Sequence, residues 1–255
     1  MANVVNATVT ALYRYPVKTF AAEALQSAPL IPGQSFPADR MYALQTSRVA
    51  ATEKSNDEVV PGLLFLRLLR TPVLAGLSVK FDDATHELTV TRGGTELISA
   101  NLASGDGRKR FETFVRTGLG PDYKTGVYVV AKSERDFSRG MDTYLHIINL
   151  ASIRDLEQRI GAPVDPLRFR PNVVIDGLPA WSELDMLDRK FTINGATLDV
   201  IERAERCPAT TCDPQTGISD IKIPDILRAT FKHKDFGIYA RVVEGGTLTI
   251  GDTIG

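Results

Sequence analysis

The stretch Ala196-Thr197-Leu198-Asp199-Val200-Ile201 alternates apolar with polar residues and then runs on to Glu205-Arg206-Cys207-Pro208-Ala209-Thr210-Thr211-Cys212-Asp213-Pro214-Gln215-Thr216-Gly217. The alternation predicts a strand with one buried face. Asp213-Pro214 and Thr216-Gly217 are turn formers. Cys207 therefore sits just past a strand end beside Arg206, where a cation can lower its pKa. The thiolate is the form that attacks electrophiles or binds metal. The alternative, open for Cys207 and for Cys212, is a buried cysteine acting as a small hydrophobe. Their spacing is not C-x-x-C and does not by itself support a disulfide.

Working outward, more strands than helices are read. Val9, Ala11 and Tyr13 alternate with Thr10, Leu12 and Arg14 before Pro16. Leu88 and Val90, then Gly93-Gly94, then Leu97-Ile98 predict a hairpin. Tyr239 to Val243, Glu244-Gly245-Gly246, then Leu248 and Ile250 predict a second. Val127 to Val130 is a short β-branched run. Helices are predicted where Asp106 can cap Phe111, Phe114, Val115 and Leu119, with Gly118 and Gly120 as stops. Leu150, Ile153, Leu156 and Ile160 predict another, closed by Gly161 and Pro163 and supported by an Asp155–Arg159 pair. A third is Ile221 to Phe231, with Pro224 in its first turn. The helices do not alternate regularly with the strands, so a doubly wound sheet is disfavoured and an α+β, mainly β, barrel-like fold is expected. The polar stretch 133–140 lacks an apolar face and marks a boundary or surface loop.

The 255 residues carry 30 Lys+Arg against 31 Asp+Glu, a balance that argues against nucleic acid as a partner. No apolar stretch is long enough to span a bilayer, and the N-terminus shows no export signal, so a cytoplasmic protein without membrane association is expected. Two cysteines exclude a disulfide-dense scaffold, and three histidines leave little material for zinc.

Two other segments could carry chemistry. In Leu167-Arg168-Phe169-Arg170-Pro171-Asn172, the arginines share parity and would point to one side of an extended chain, as phosphate-binding forks or as a solvated pair. In Tyr13-Arg14-Tyr15-Pro16-Val17-Lys18-Thr19, an ammonium and a hydroxyl next to each other can hold an anion, or Lys18 is an ordinary surface lysine. Gly105-Asp106-Gly107-Arg108-Lys109-Arg110 lacks the spacing of a phosphate loop and reads as a helix start. His146, in an apolar run, reads as a satisfied core histidine. There is no G-x-S-x-G elbow.

In order along the chain, Arg14-Tyr15-Pro16-Val17-Lys18, Ala38-Asp39-Arg40, Phe169-Arg170-Pro171-Asn172, Arg206-Cys207 with Asp213-Pro214-Gln215-Thr216-Gly217, and Phe236-Gly237-Ile238-Tyr239 resemble the MOSC family, named for the C-terminal part of molybdenum cofactor sulfurase. The likeness is to its two-part members, such as the mitochondrial amidoxime reducing component. It implies a MOSC β-barrel domain (133–255) packed with a β-rich N-terminal MOSC-type domain (1–132). It also implies a molybdenum–molybdopterin cofactor and no pyridoxal phosphate. Cys207 would be the thiolate on the metal, and Lys18, Thr19, Arg40, Arg170 and Arg206 would hold the cofactor's anionic and polar groups. Thr143, Asn172 and Tyr239 would support them. Thr19 stands where many relatives have serine, and Glu205 where a small polar residue is usual. The implied activity is reduction of small N-hydroxylated or related N–O compounds, with electrons from a separate flavin, haem or iron–sulfur protein. The alternatives are a non-redox carrier of cofactor or sulfur that uses a Cys207 persulfide, and a barrel that serves only as a binding scaffold.

Overall fold

The computed structural model describes residues 7–46, 65–66, 71, 74–120, 126–131 and 144–255. The elements are β1 (Ala7–Arg14), β2 (Val17–Lys18), β3 (Glu23–Leu25), β4 (Ser27–Leu30), β5 (Tyr42–Gln45), β6 (Ser78–Phe81), β7 (Glu87–Arg92), β8 (Thr95–Asn101), α1 (Gly105–Leu119) and β9 (Tyr128–Ala131). They continue with β10 (Tyr144–Asn149), α2 (Leu150–Ile160), β11 (Val173–Asp176), β12 (Lys190–Ile193), β13 (Ala196–Glu205), α3 (Ile223–Phe231), β14 (Asp235–Glu244), β15 (Gly246–Thr249) and β16 (Thr253–Ile254). The fold is α+β and mainly β, and its centre is a closed seven-stranded barrel.

Strand β1 closes that barrel. It pairs antiparallel with β11 on one side and with β16 on the other, and the sheet runs β16-β12-β13-β14-β10-β11 back to β1. A closed sheet leaves no open hydrogen-bonding edge. The pair β10–β11 is parallel, and parallel neighbours need a crossover, which α2 supplies. Leu12, Leu145, Ile147, Val173, Ile175, Leu198, Val200 and Ile238 fill the interior at no more than 1% exposure. Each such side chain contributes about 1.5–3 kcal/mol by leaving water. Helices α2 and α3 cover one outer face through Ile153, Leu156, Ile223 and Leu227.

A second core lies beside the barrel. It gathers β5, β9, the β6-β7-β8 sheet and α1 around Leu44, Phe81, Leu88, Val90, Phe111 and Val115. The 132/133 boundary and the polar stretch 133–140 lie outside the described residues. The barrel nonetheless takes its closing strand β1 from the N-terminal half, and β4 pairs with β15.

Local structure departs from the sequence reading in three places. The alternation in β1 does not hold: Thr10 is an extra residue between Val9↔Ile175 and Ala11↔Val174, so parity shifts and Leu12, not Ala11 or Tyr13, points into the barrel. The hairpin predicted at Gly245-Gly246 does not form. Neither glycine takes a positive φ, which the tight hairpin turns need, and β15 pairs with β4 instead of β14. Helix α1 is capped not by Asp106 but by Ser104, whose Oγ accepts the Gly107 N–H at 3.0 Å, and it runs through Gly118 to end at Gly120. The other elements follow the pattern. Gly93 and Gly94 both have positive φ and form the two-residue turn between β7 and β8. Gly161, at φ 75°, ends α2, and Asp155 pairs with Arg159 at 2.6 Å.

Candidate functional site

The site begins where β1 leaves the barrel. The Tyr15 N–H donates to Asp39 Oδ1 at 2.8 Å, the Arg40 N–H to the Tyr15 carbonyl at 2.8 Å, and the Tyr42 N–H to the Pro16 carbonyl at 2.9 Å. The Ala38–Arg40 segment is thereby zipped to the Tyr15 turn. Asp39 Oδ2 pairs with Arg40 Nη1 at 2.7 Å. From the far side of the sequence Arg170 enters this turn. Its Nη1 donates to the Phe20 carbonyl at 2.8 Å, and its guanidinium lies 4.0 Å from the centre of the Tyr15 ring. Burial is the main force on Arg170, lowering its pKa to about 10, with a smaller push from neighbouring Arg40 and Arg206.

Arg206, at the end of β13, turns inward. Its Nη2 donates to the Phe169 carbonyl at 2.7 Å, and its Nη1 stands 3.3 Å from His146 Nε2. His146 links the two arginines, because its Nδ1 lies 3.3 Å from the Arg170 carbonyl. Burial and the nearby Arg206 hold its pKa well below the ordinary value, so the ring stays neutral. Gly237 makes room for it. A Cβ there would stand 2.4 Å from the Ile147 carbonyl oxygen and 2.8 Å from His146 Nε2, and its φ is +77°.

Three buried polar atoms of this group find no partner among the described residues: Tyr15 Oη, Arg170 Nη2 and Arg206 Nε. Buried donors without acceptors are rare and costly. Backbone strain collects here too. Thr19, Ala38, Arg40 and Arg170 all have positive φ, between 51° and 71°. Each such non-glycine residue costs about 1–2 kcal/mol, which the surrounding contacts must offset. Beside Arg170 opens a cleft of about 100 Å³, lined among others by Tyr15, Thr19, Phe20, Ser78 and Gln215. Its walls come from both halves of the sequence.

Thus Arg40, Arg170 and Arg206 come together, with Thr19 on the cleft wall. Cys207, next to Arg206, is exposed rather than part of the core. Cys212 is buried, its thiol pKa raised by burial. Lys18 sits one residue from the cleft, but its ammonium lies 4.3 Å from the Phe65 ring centre. Asn172 is consumed by the backbone: its Oδ1 accepts the His146 N–H at 3.0 Å, and its Nδ2 donates to the Tyr13 carbonyl at 3.2 Å, tying β10 to β1. Tyr239 lies against His146, ring centres 5.2 Å apart. Thr143 lies outside the described residues. Glu205 is paired with Lys234.

The shared side of Arg168 and Arg170 is not observed. Pro166–Phe169 is a 3-10 turn, not an extended strand, and Arg170 follows in the left-handed region, so the side chains diverge. Arg168 meets Asp213 and Asp220 instead. The sequence reading missed this pairing, and also His146 as the link between two arginines and Tyr15 as a wall of the cleft. The acids Asp213 and Asp220 flanking the turn were a signal for the first; nothing local signals the other two.

The MOSC domain family model matches residues 134–255. That segment, just under half of the chain, is similar to a MOSC domain. Mitochondrial amidoxime reducing component 2 from Rattus norvegicus is 33% identical over 122 residues, covering 43% of this chain and 36% of that protein. Molybdenum cofactor sulfurase from Caenorhabditis briggsae is 25% identical over 256 residues, covering 92% of this chain and 33% of its own length. This chain therefore spans about a third of the length of these relatives. Among solved structures, the YUAD protein from Bacillus subtilis aligns over 98% of this chain and 94% of its own, at 12% identity and a TM-score of 0.45. The segment that matches the family model carries Arg170, Arg206 and Cys207, while the chain before it supplies Tyr15, Thr19 and Arg40. Among the described residues, no three His, Cys, Asp or Glu side chains cluster to hold a metal, and no helix is long and apolar enough to cross a membrane.

Proposed function

We propose that the chain is a cytoplasmic molybdenum-dependent reductase of small N-hydroxylated or related N–O compounds. It would hold a molybdenum–molybdopterin cofactor between the MOSC domain and the Tyr15–Phe20 turn and take electrons from a separate flavin, haem or iron–sulfur protein. One observation carries the reading: Arg170 Nη2 and Arg206 Nε are buried donors without acceptors among the described residues, and Arg206 is followed directly by the exposed Cys207. Guanidinium donors left open in this way suit the oxygens of a phosphate. The names of the relatives point to the same chemistry.

The residues present fit that group. Arg170 and Arg206 would hold its phosphate and other anionic oxygens, with Arg40 adding charge at the half-exposed rim. Thr19 and Tyr15 offer hydroxyls. A soft metal prefers a sulfur ligand, and Cys207 offers a single thiol at the surface. When bound, such a cofactor supplies two-electron oxygen-atom transfer. The protein's share is binding, orientation and electrostatics. Neutral His146 spaces Arg170 from Arg206 without adding a charge, and the Arg170 guanidinium keeps its own, since even about 10 lies far above neutral pH.

The test is molybdenum content together with pterin fluorescence of protein freshly purified from a host that makes the cofactor. Both are expected in the wild type, and Cys207→Ser is expected to lose most of the metal and all reductase turnover with a competent donor. Full turnover in that variant contradicts the assignment. The exposure of Cys207 favours a second reading, a carrier of sulfur or cofactor. A stable sulfur adduct on Cys207 by mass spectrometry, without molybdenum, would select it.

A further inference from the structure

The chain from Cys207 to Asp220 follows the end of β13 as a strap, and it supplies Gln215 and Pro214 to the wall of the cleft. Strand pairing does little to hold it: a single bridge, Cys212↔Ser219, lies within it. Side chains hold it instead. Arg168, whose side chain is 2% exposed, spreads its fork beneath the strap. Nη1 donates to Asp220 Oδ1 at 2.7 Å and to the Thr211 carbonyl at 3.1 Å. Nη2 donates to Asp220 Oδ2 and to Asp213 Oδ2, both at 2.8 Å. The other oxygen of Asp213, Oδ1, accepts the N–H groups of Gln215 and Thr216, each at 2.8 Å. One carboxylate thus connects the arginine to the tip of the turn.

The tip is seated on the other half of the molecule. The Gly76 N–H donates to the Pro214 carbonyl at 2.9 Å. A Cβ on Gly76 would stand 2.8 Å from the Gln215 carbonyl oxygen, and its φ is +65°, so no other residue allows that approach without strain.

From this geometry we infer that Arg168 is a positioning residue. Acting through Asp213, it sets the seat of the Pro214-Gln215 tip on Gly76 and with it the shape of the cleft beside Arg170. The Arg168 guanidinium bonds to Thr211, Asp213 and Asp220, and Arg168 itself is not among the residues lining the cleft, although its neighbour Leu167 is. Its carboxylate partners divide the work: Asp213 relays position to the tip, and Asp220 anchors the strap's far end, where its Oδ1 also takes the Ile221 N–H at 2.7 Å. Without the cation the two acids repel each other across a gap that the fork now fills. Lysine, with one compact ammonium, cannot reproduce the fork. The inference does not depend on any cofactor.

Hydrogen exchange on the full chain, purified without cofactor, tests it. In Arg168→Met the amides of Gln215, Thr216 and Gly76 are expected to exchange about tenfold faster or more, with β13, β14 and α2 unchanged. Arg168→Lys should fall in between. Asp213→Asn should match Arg168→Met at the Gly76 amide, while Asp220→Asn should leave that amide within about threefold of wild type. Unchanged exchange at Gly76 in Arg168→Met overturns the inference. So does acceleration spread evenly over the barrel, which would make Arg168 a general stabiliser. If Arg168→Met fails to fold, the Asp213→Asn and Asp220→Asn pair decides alone, and equal effects of the two at Gly76 overturn it.

Discussion

Two arginines two positions apart, Arg168, buried, and Arg170, half-buried with its Nη2 enclosed, end in opposite electrostatic states. Arg168 meets two carboxylates and a carbonyl through both Nη atoms, and its Nε alone has no acceptor among the described residues. Arg170 meets one carbonyl and the face of Tyr15, and its Nη2 has no acceptor among the described residues. The same division recurs elsewhere. Arg14 is saturated by Glu23, Asp83 and the Phe81 carbonyl, all within 2.8 Å. Arg206 has the Phe169 carbonyl and neutral His146. A buried cation surrounded by acids is finished, and its work is structural. A buried cation that meets only carbonyls and rings keeps its charge unanswered, and that charge is available to an anion from outside.

The contrast is sharpest in stability. Replacing Arg14 by Met strips the cation from Glu23, 11% exposed and left with only the Phe81 N–H, and the donor from the Phe81 carbonyl, while Asp83, 59% exposed, recovers water. Breaking a buried pair from one side costs about 3–5 kcal/mol, so a loss near the lower end is expected in the urea midpoint. Arg170→Met should behave differently. It removes a buried charge that no acid among the described residues pairs with directly, so the lost bond to Phe20 is offset by relief of desolvation and the net change stays within about 1 kcal/mol. Its larger effect should be on ligands: binding of inorganic phosphate, followed by calorimetry, should weaken about tenfold or more. Equal destabilisation by the two substitutions would erase the distinction between finished and open cations.

Much of this architecture could be read locally. The Gly93-Gly94 turn, the apolar stripe of α2 and its Gly161 stop depend on residues within a few positions of one another. Barrel closure does not: Val9 meets Ile175, and Ala7 meets Ile254, and no periodicity within β1 announces those partners. The Thr10 bulge shifted parity because one extra residue in a strand leaves no mark on composition. Gly245-Gly246 failed as a hairpin because β4, more than two hundred residues earlier, claims β15. In the site, residue type was legible and direction was not. Arginines at 168, 170 and 206 signalled anion chemistry, but a 3-10 turn and a left-handed residue decided which of them faces the cleft. Lys18 reads as an anion ligand until the structure turns it toward Phe65. Asn172 reads as a site residue, yet all its side-chain bonds hold backbone.

The smallest effect tests the contrast with its sign reversed, on a buried acid that lacks a cation. Glu183, fully buried in the turn after Trp181, takes hydrogen bonds from Ser152 Oγ at 2.7 and 2.9 Å and from Asn149 Nδ2 at 3.1 Å, and no lysine or arginine among the described residues pairs with it. Burial raises its pKa, and the bonds from Ser152 and Asn149 pull it back only in part. Between the ordinary glutamate value and that raised one, the folded chain holds more protons than the unfolded chain. Stability is therefore greatest below the ordinary value and declines as pH rises through the raised one. Asp220 acts in the opposite direction and in a different window: Arg168 lowers its pKa, so its contribution is lost only as pH falls below the ordinary aspartate range. Glu183→Gln should remove the first slope and keep the second, making the mutant's urea midpoint flatter than the wild type's above the ordinary glutamate value. The gain at neutral pH should be about 1 kcal/mol, since an amide keeps the acceptor and sheds the charge. If the wild-type midpoint is already flat there, Glu183 is answered by its neutral partners, and buried charge in this fold does not need an ion to be finished.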